Sequence, residues 1–124
     1  MFRRIFSRKP AQLLTGAPAV RRMKTYSAQS GYVYQYFFEG RRGAAYVFSI
    51  SADRKNWLPM EVTVEEPALN AWEQSHGRQL SATERYAIAK MALFQAFDER
   101  PDPKAMQADL RVAAVEAIVE ALGL

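Results

Sequence analysis

The sequence predicts an α+β domain: a three- or four-stranded antiparallel β-meander with one face covered by two or three helices. Three observations carry that prediction. Ser81 to Asp98 is an apolar stretch with a helix-start signal, and Tyr32 to Val64 holds three aromatic and β-branched runs separated by turn clusters. The third is size and composition: 124 residues, 49% hydrophobic and 24% charged, are enough for one self-sufficient core.

The chain divides into a basic arm or linker over residues 1–21 and a single domain over residues 22–124. Net charge is +4, but it is unevenly placed. Met1 to Phe38 holds seven basic residues and no acid, leaving ten basic and thirteen acidic residues from Glu39 onward. Phe2, Ile5 and Phe6 fall at i, i+3, i+4 spacing, flanked by Arg3, Arg4, Arg8 and Lys9, until Pro10 stops the pattern. That is a short basic amphipathic helix for a membrane surface or another protein, and below about 12 residues it does not hold its helicity alone in water.

Arg3-Arg4-Ile5-Phe6 also resembles the core of a twin-arginine export signal. The stretch after it departs from such a signal, because Ala11 to Val20 has only Leu13, Leu14 and Val20 as strong apolar residues and is broken by Thr15, Gly16 and Pro18. A working signal carries an apolar run of about 7–15 residues. The expected location is therefore the cytoplasm, with association at a membrane surface through the arm.

The strands read as Tyr32–Glu39, Ala44–Ser51 and Trp57–Val64. Gly40-Arg41-Arg42-Gly43 and Asp53-Arg54-Lys55-Asn56 suit three-residue loops, with Gly43 and Asn56 in the left-handed position. Such loops pair even-numbered residues with even. Tyr34, Tyr36, Phe38, Tyr46, Phe48, Ile50, Met60, Val62 and Val64 then share one face, and Gln35, Glu39, Ser49, Ser51, Glu61 and Thr63 the other. Val33, Phe37, Val47 and Trp57 are apolar exceptions on the outer face.

Pro59 marks the third strand as an edge. Tyr32 to Phe38 is uncharged and, if left open, invites a second copy of the chain to form a homodimer. Arg22 to Tyr26 can return as a fourth strand and cover it.

Three helices complete the domain. Glu66 to His76 has Pro67 at its first position and Gly77 after its end. Ser81 and Glu84 make a capping box for a helix over 82–98, in which Lys90 and Gln95 are the only polar residues between Tyr86 and Phe97. Asp102 and Pro103 start a third helix over 103–122, unless Leu110-Arg111-Val112 is a short extended piece before a final helix from about Ala114.

The chemistry-bearing inventory is thin. There is no cysteine, so disulfides and thiolate metal sites are excluded, and one histidine, His76, excludes multi-histidine metal sites and a Ser-His-Asp triad. Glu61, Glu65 and Glu66 do not converge with other groups as acid/base pairs do. The sheet tyrosines suggest stacking platforms for bases, yet the expected register buries Tyr34 and Tyr36.

No enzyme, cofactor or metal is expected. The expected function is that of a non-enzymatic interaction or accessory protein. Phe2, Arg3, Arg4, Ile5, Phe6, Arg8 and Lys9 would dock it on a protein assembly or an anionic membrane surface, the alternative being nucleic acid or a ribosome-associated role with the arm on phosphate.

Overall fold

Period-2 alternation lays down four antiparallel strands in chain order, and a fifth joins them in parallel at the far edge. The computed structural model describes residues 13–124. Its strands are β1 (Lys24–Ser27), β2 (Val33–Arg42), β3 (Ala45–Ser51), β4 (Leu58–Val64) and β5 (Leu110–Val112), in the order β1-β2-β3-β4-β5. The class is α+β as expected, with five strands rather than three or four. Three α-helices, α1 (Glu66–His76), α2 (Ala82–Glu99) and α3 (Glu116–Leu122), accompany the sheet.

β1, which falls on the stretch expected to return as a fourth strand, and β5, a strand beyond the four expected, cover the two edges of the meander. β1 pairs with β2 from Lys24↔Tyr36 to Ser27↔Val33, so this stretch of β2 is closed to the homodimer pairing that a bare Tyr32–Phe38 edge would invite. β5 pairs with β4 over Val62–Val64, which makes β4 an inner strand there. Pro59 lies before that contact. The Glu61 N–H points to the β5 side, where it donates to Asp109 Oδ1 at 3.2 Å. Residues two apart point the same way, so the missing N–H of Pro59 takes nothing from the β3 ladder.

Of the two expectations for 103–122, a single helix or an extended piece at Leu110-Arg111-Val112 before a final helix, the structure takes the second: a 3₁₀ turn at Pro103–Gln107, then β5, then α3. Asp102 accepts the Ala105 N–H at 3.1 Å and starts the turn, but the exposed rim of β4 competes for the residues beyond it. The Glu65 N–H donates to Val112 O, and the Arg111 guanidinium bonds Glu65 at 3.0 Å. The crossover through α1 and α2 gives the length that a parallel return needs.

The β2–β3 register reaches the expected pairing by another route. The loop is the two residues Gly43 and Ala44, because Arg42 pairs with Ala45, and Gly43 takes φ +61 at the first central position. On its own this loop would pair even residues with odd. A bulge at Glu39 then restores Phe38↔Phe48 and Tyr36↔Ile50, so the faces are those expected. In the next turn the left-handed residue is Arg54 (φ +65), not Asn56. Ser51 Oγ accepts the Asp53 and Arg54 N–H groups and Asp53 Oδ1 those of Lys55 and Asn56, which holds that conformation.

Tyr34, Tyr36, Tyr46, Phe48, Ile50, Met60 and Val62 are buried under the helices together with Leu69, Trp72, Ile88, Leu93 and Phe97. The capping box of Ser81 and Glu84 is formed. α2 attaches the helices to the β1–β2 corner through stacked rings: Tyr34 on Phe97 at 4.2 Å and Tyr26 on Phe94 at 4.4 Å between centroids. Asp98 completes the joint by accepting the Tyr26 hydroxyl at 2.8 Å and the Gln29 N–H at 2.9 Å.

The face without helices is covered by its own side chains. Arg42 of β2 reaches Glu61 of β4 at 2.9 Å, so the pair crosses β3 above Ala45 and Val47, and both are buried. Phe37 and Trp57, 5.2 Å apart, span β3 in the same way, and Gln35 and Ser51 beside them are also buried.

Two outcomes test this packing. Leu93→Ala should lower stability by about 2–5 kcal/mol, as buried leucine truncations do, read from the denaturant midpoint. In contrast, Phe37→Ala, on the helix-free face where only part of the ring is covered, should cost clearly less than Leu93→Ala.

Candidate functional site

The segment before β1 is held along the outer edge of β2. The Thr15 and Arg41 backbones exchange hydrogen bonds, 2.8 Å from Thr15 N to Arg41 O and 2.6 Å from Arg41 N to Thr15 O. Gly40 permits this approach. It takes φ +130, and a Cβ there would lie 2.6 Å from the Thr15 carbonyl oxygen. Sheet contact thus begins at Thr15, within the stretch assigned to the arm.

Between Thr15 and β1 the chain bows toward the helix side, and Arg21 and Arg22 go to opposite faces. Arg21 crosses the helix-free face, bonding Glu39 at 2.9 and 2.5 Å and lying 3.8 Å over the Phe37 ring. Ser49 Oγ also donates to Glu39, at 2.6 Å. The Arg21 hydrogen bond, against the opposing effect of burial and with help from Ser49, holds the Glu39 carboxyl below the usual carboxylate range.

On the helix side Arg22 and Lys24 line a cleft of about 310 Å³ with Pro18, Val20, Tyr36, Phe38 and Tyr86. Pro18 and Val20 form the wall contributed by the N-terminal segment. Lys24 faces the cleft because its cross-strand partner is Tyr36, and paired residues share a face. The opposite wall is Tyr86 of α2, whose ring lies 4.8 Å from that of Phe38 and is tilted by 57°.

Lys90, one turn along α2, stands 5.7 Å from the Tyr86 ring centroid and 6.0 Å from that of Phe94. Burial, reinforced by the charge of Lys24, pushes the Lys90 ammonium below its usual range. Arg22, Lys24 and Lys90 form no ion pair among the described residues, whereas Arg21, Arg42, Arg78, Arg85 and Arg111 each do. The edge therefore collects three unneutralised cations beside three aromatic rings.

A second cleft, of about 340 Å³, lies between Tyr32, Tyr34, Ile50, the turn after β3 and the 3₁₀ segment. The Asp53 carboxylate at its rim is committed to the backbone of its own turn, and the buried Tyr34 hydroxyl has no partner among the described residues.

The arm residues expected to bind, Phe2, Arg3, Arg4, Ile5, Phe6, Arg8 and Lys9, lie outside the described residues. The three neighbouring glutamates are separated by their partners, Glu61 with Arg42, Glu65 with Arg111 and Glu66 with Arg85. His76 closes the end of α1: its ring stacks on Trp72 at 4.1 Å, and Nδ1 lies 3.0 Å from Trp72 O. The burial of Tyr34 and Tyr36 removes the sheet face as a base-stacking platform. Lys90 did carry a sequence signal, as the one cation between Tyr86 and Phe97, four residues from both Tyr86 and Phe94. Comparison with protein-family models, curated proteins and solved structures finds no match for the chain.

The Arg21–Glu39 contact makes a prediction about acid. A carboxylate whose folded-state pKa is depressed adds stability above its unfolded value, near 4.3, and loses that contribution as pH falls through the folded value. Arg21→Gln should therefore return the Glu39 titration to the ordinary range in an NMR pH series. Its stability deficit relative to the parent should shrink as pH drops below about 4.

Proposed function

We propose that this is a non-enzymatic interaction protein that docks on an anionic membrane surface through its basic N-terminal segment, as an accessory to a larger assembly. The observation that carries the reading is the charge distribution. Every basic residue before Glu39 stands without an acid on the same segment, and where that segment meets the sheet, Glu39 takes up only Arg21. Arg22 and Lys24 remain with Lys90 on the same edge, next in the chain after Arg3, Arg4, Arg8 and Lys9. Cations gathered on one side of a body that is otherwise mildly acidic are drawn to anionic lipid headgroups, at about 1 kcal/mol for each basic residue near the surface. Phe2, Ile5 and Phe6 supply the apolar insertion that electrostatics alone lacks.

The test is co-sedimentation with lipid vesicles. The full chain should pellet with vesicles containing phosphatidylserine and stay in solution with purely zwitterionic ones, and Phe6→Ser or removal of residues 2–12 should abolish pelleting. Equal pelleting with both vesicle types, or none with either, contradicts the reading. Tight binding to duplex DNA, with log affinity falling against log salt at a slope of about −3.6 for four phosphate contacts, would instead favour the nucleic-acid role.

A further inference from the structure

We propose that the cleft bounded by Pro18, Val20, Lys24, Tyr36, Phe38 and Tyr86 is a binding site for a small aromatic anion, a planar ring system carrying one carboxylate or phosphate. This goes beyond surface docking, since it assigns a small-molecule ligand to a formed part of the fold.

Shape and charge argue it independently. The rings of Tyr36, Phe38 and Tyr86 line the cleft; Tyr36 is buried beneath, and Phe38 and Tyr86 are tilted to one another by 57° rather than stacked, so they offer both a face and an edge to an inserted ring. A volume of about 310 Å³ lies at the small end of ligand sites. At the rim, Arg22 and Lys24 stand with Lys90 close by. Like charges brought together without an acid repel, and an anion placed among them removes the repulsion and gains charge-assisted hydrogen bonds. Arg22 and Lys24 line the same cleft as the rings, so one anionic group carried on an inserted ring system can meet both. Bound there, an anion would also offset the Lys24 repulsion that, after burial, depresses the Lys90 ammonium.

The experiment is calorimetric titration of the full chain with 2-naphthoate and 2-naphthyl phosphate, alongside neutral 2-naphthalenemethanol and the aliphatic anion octanoate. At least one naphthyl anion should bind, with the alcohol and octanoate weaker by at least tenfold. The Lys24→Gln/Lys90→Gln double variant should weaken the naphthyl anion by at least tenfold without lowering the thermal midpoint, because it relieves a like-charge contact. If the double variant fails to fold, Lys24→Gln alone, at an exposed position, must still weaken binding several-fold. No heat from either naphthyl anion at millimolar concentration, equal affinity for the alcohol or octanoate, or unchanged affinity in the lysine variants would each overturn the assignment. Vesicles play no part in this titration, and removing residues 2–12 should leave it unchanged, so its failure is distinguishable from failure of membrane docking.

Discussion

The rest of the structure depends on the stacking of α2 against the β1–β2 corner. Tyr34 on Phe97 and Tyr26 on Phe94 are parallel pairs with centroids 4.2 and 4.4 Å apart, and each pair contributes about 0.5–1.5 kcal/mol beyond the apolar area it buries. β1 is four residues long and mostly exposed, so its ladder to β2 does not hold it alone. The Tyr26 ring and its bond to Asp98 fasten it to the helix layer. Once β1 is fixed, Lys24 is directed to the helix side. The chain before it is drawn along β2 to the Thr15 bridge, and the wall of the cationic cleft is set as a result.

Electrostatics sorts the same edge into two faces. Lys24 goes to the helix side, and Arg21, in the segment before β1, goes to the other, where Glu39, itself bonded by Ser49, and Phe37 receive it. Glu39 is available because it is the bulged residue, and the bulge is also what restores the register of β2 and β3. One irregularity thus serves two ends: it keeps Tyr36 and Phe38 on the buried face, and it supplies the acid that binds Arg21. Arg22, Lys24 and Lys90 form no such ion pair among the described residues, and on this difference the proposed ligand and surface roles rest.

Much of the fold was legible in the sequence. The capping box at Ser81 and Glu84, Pro67 and Gly77 around α1, and the aromatic alternation of β2 to β4 act locally, so their outcome is set by neighbouring residues. The features that escaped were decided by competition between distant segments. Leu110-Arg111-Val112 sits in a stretch whose spacing leaves helix and extended piece both open, and the rim of β4, whose backbone partners no local pattern announces, decides for the extended one. The two-residue loop at Gly43 and the bulge at Glu39 cancel in register, so the expected faces emerged although the expected loop did not. The cleft was illegible for a similar reason: Lys24 and Tyr36 are far in the chain from the turn of α2 that carries Tyr86 and Lys90, and they meet it only after β1 docks on α2. The contact of Thr15 with Arg41 likewise depends on Gly40, whose role is to leave room for a carbonyl from a distant, earlier part of the chain.

The central claim is that the N-terminal segment from Thr15 is a built part of the fold that holds the cations in place. Native-state hydrogen exchange measures it directly at the amides of Thr15 and Arg41. The account predicts that both are protected well above unfolded-chain rates, and that Gly40→Ala abolishes the protection of both while the β3 amides stay protected. Exchange of the two amides at unprotected rates in the parent protein would contradict it, and would leave the cleft without its N-terminal wall.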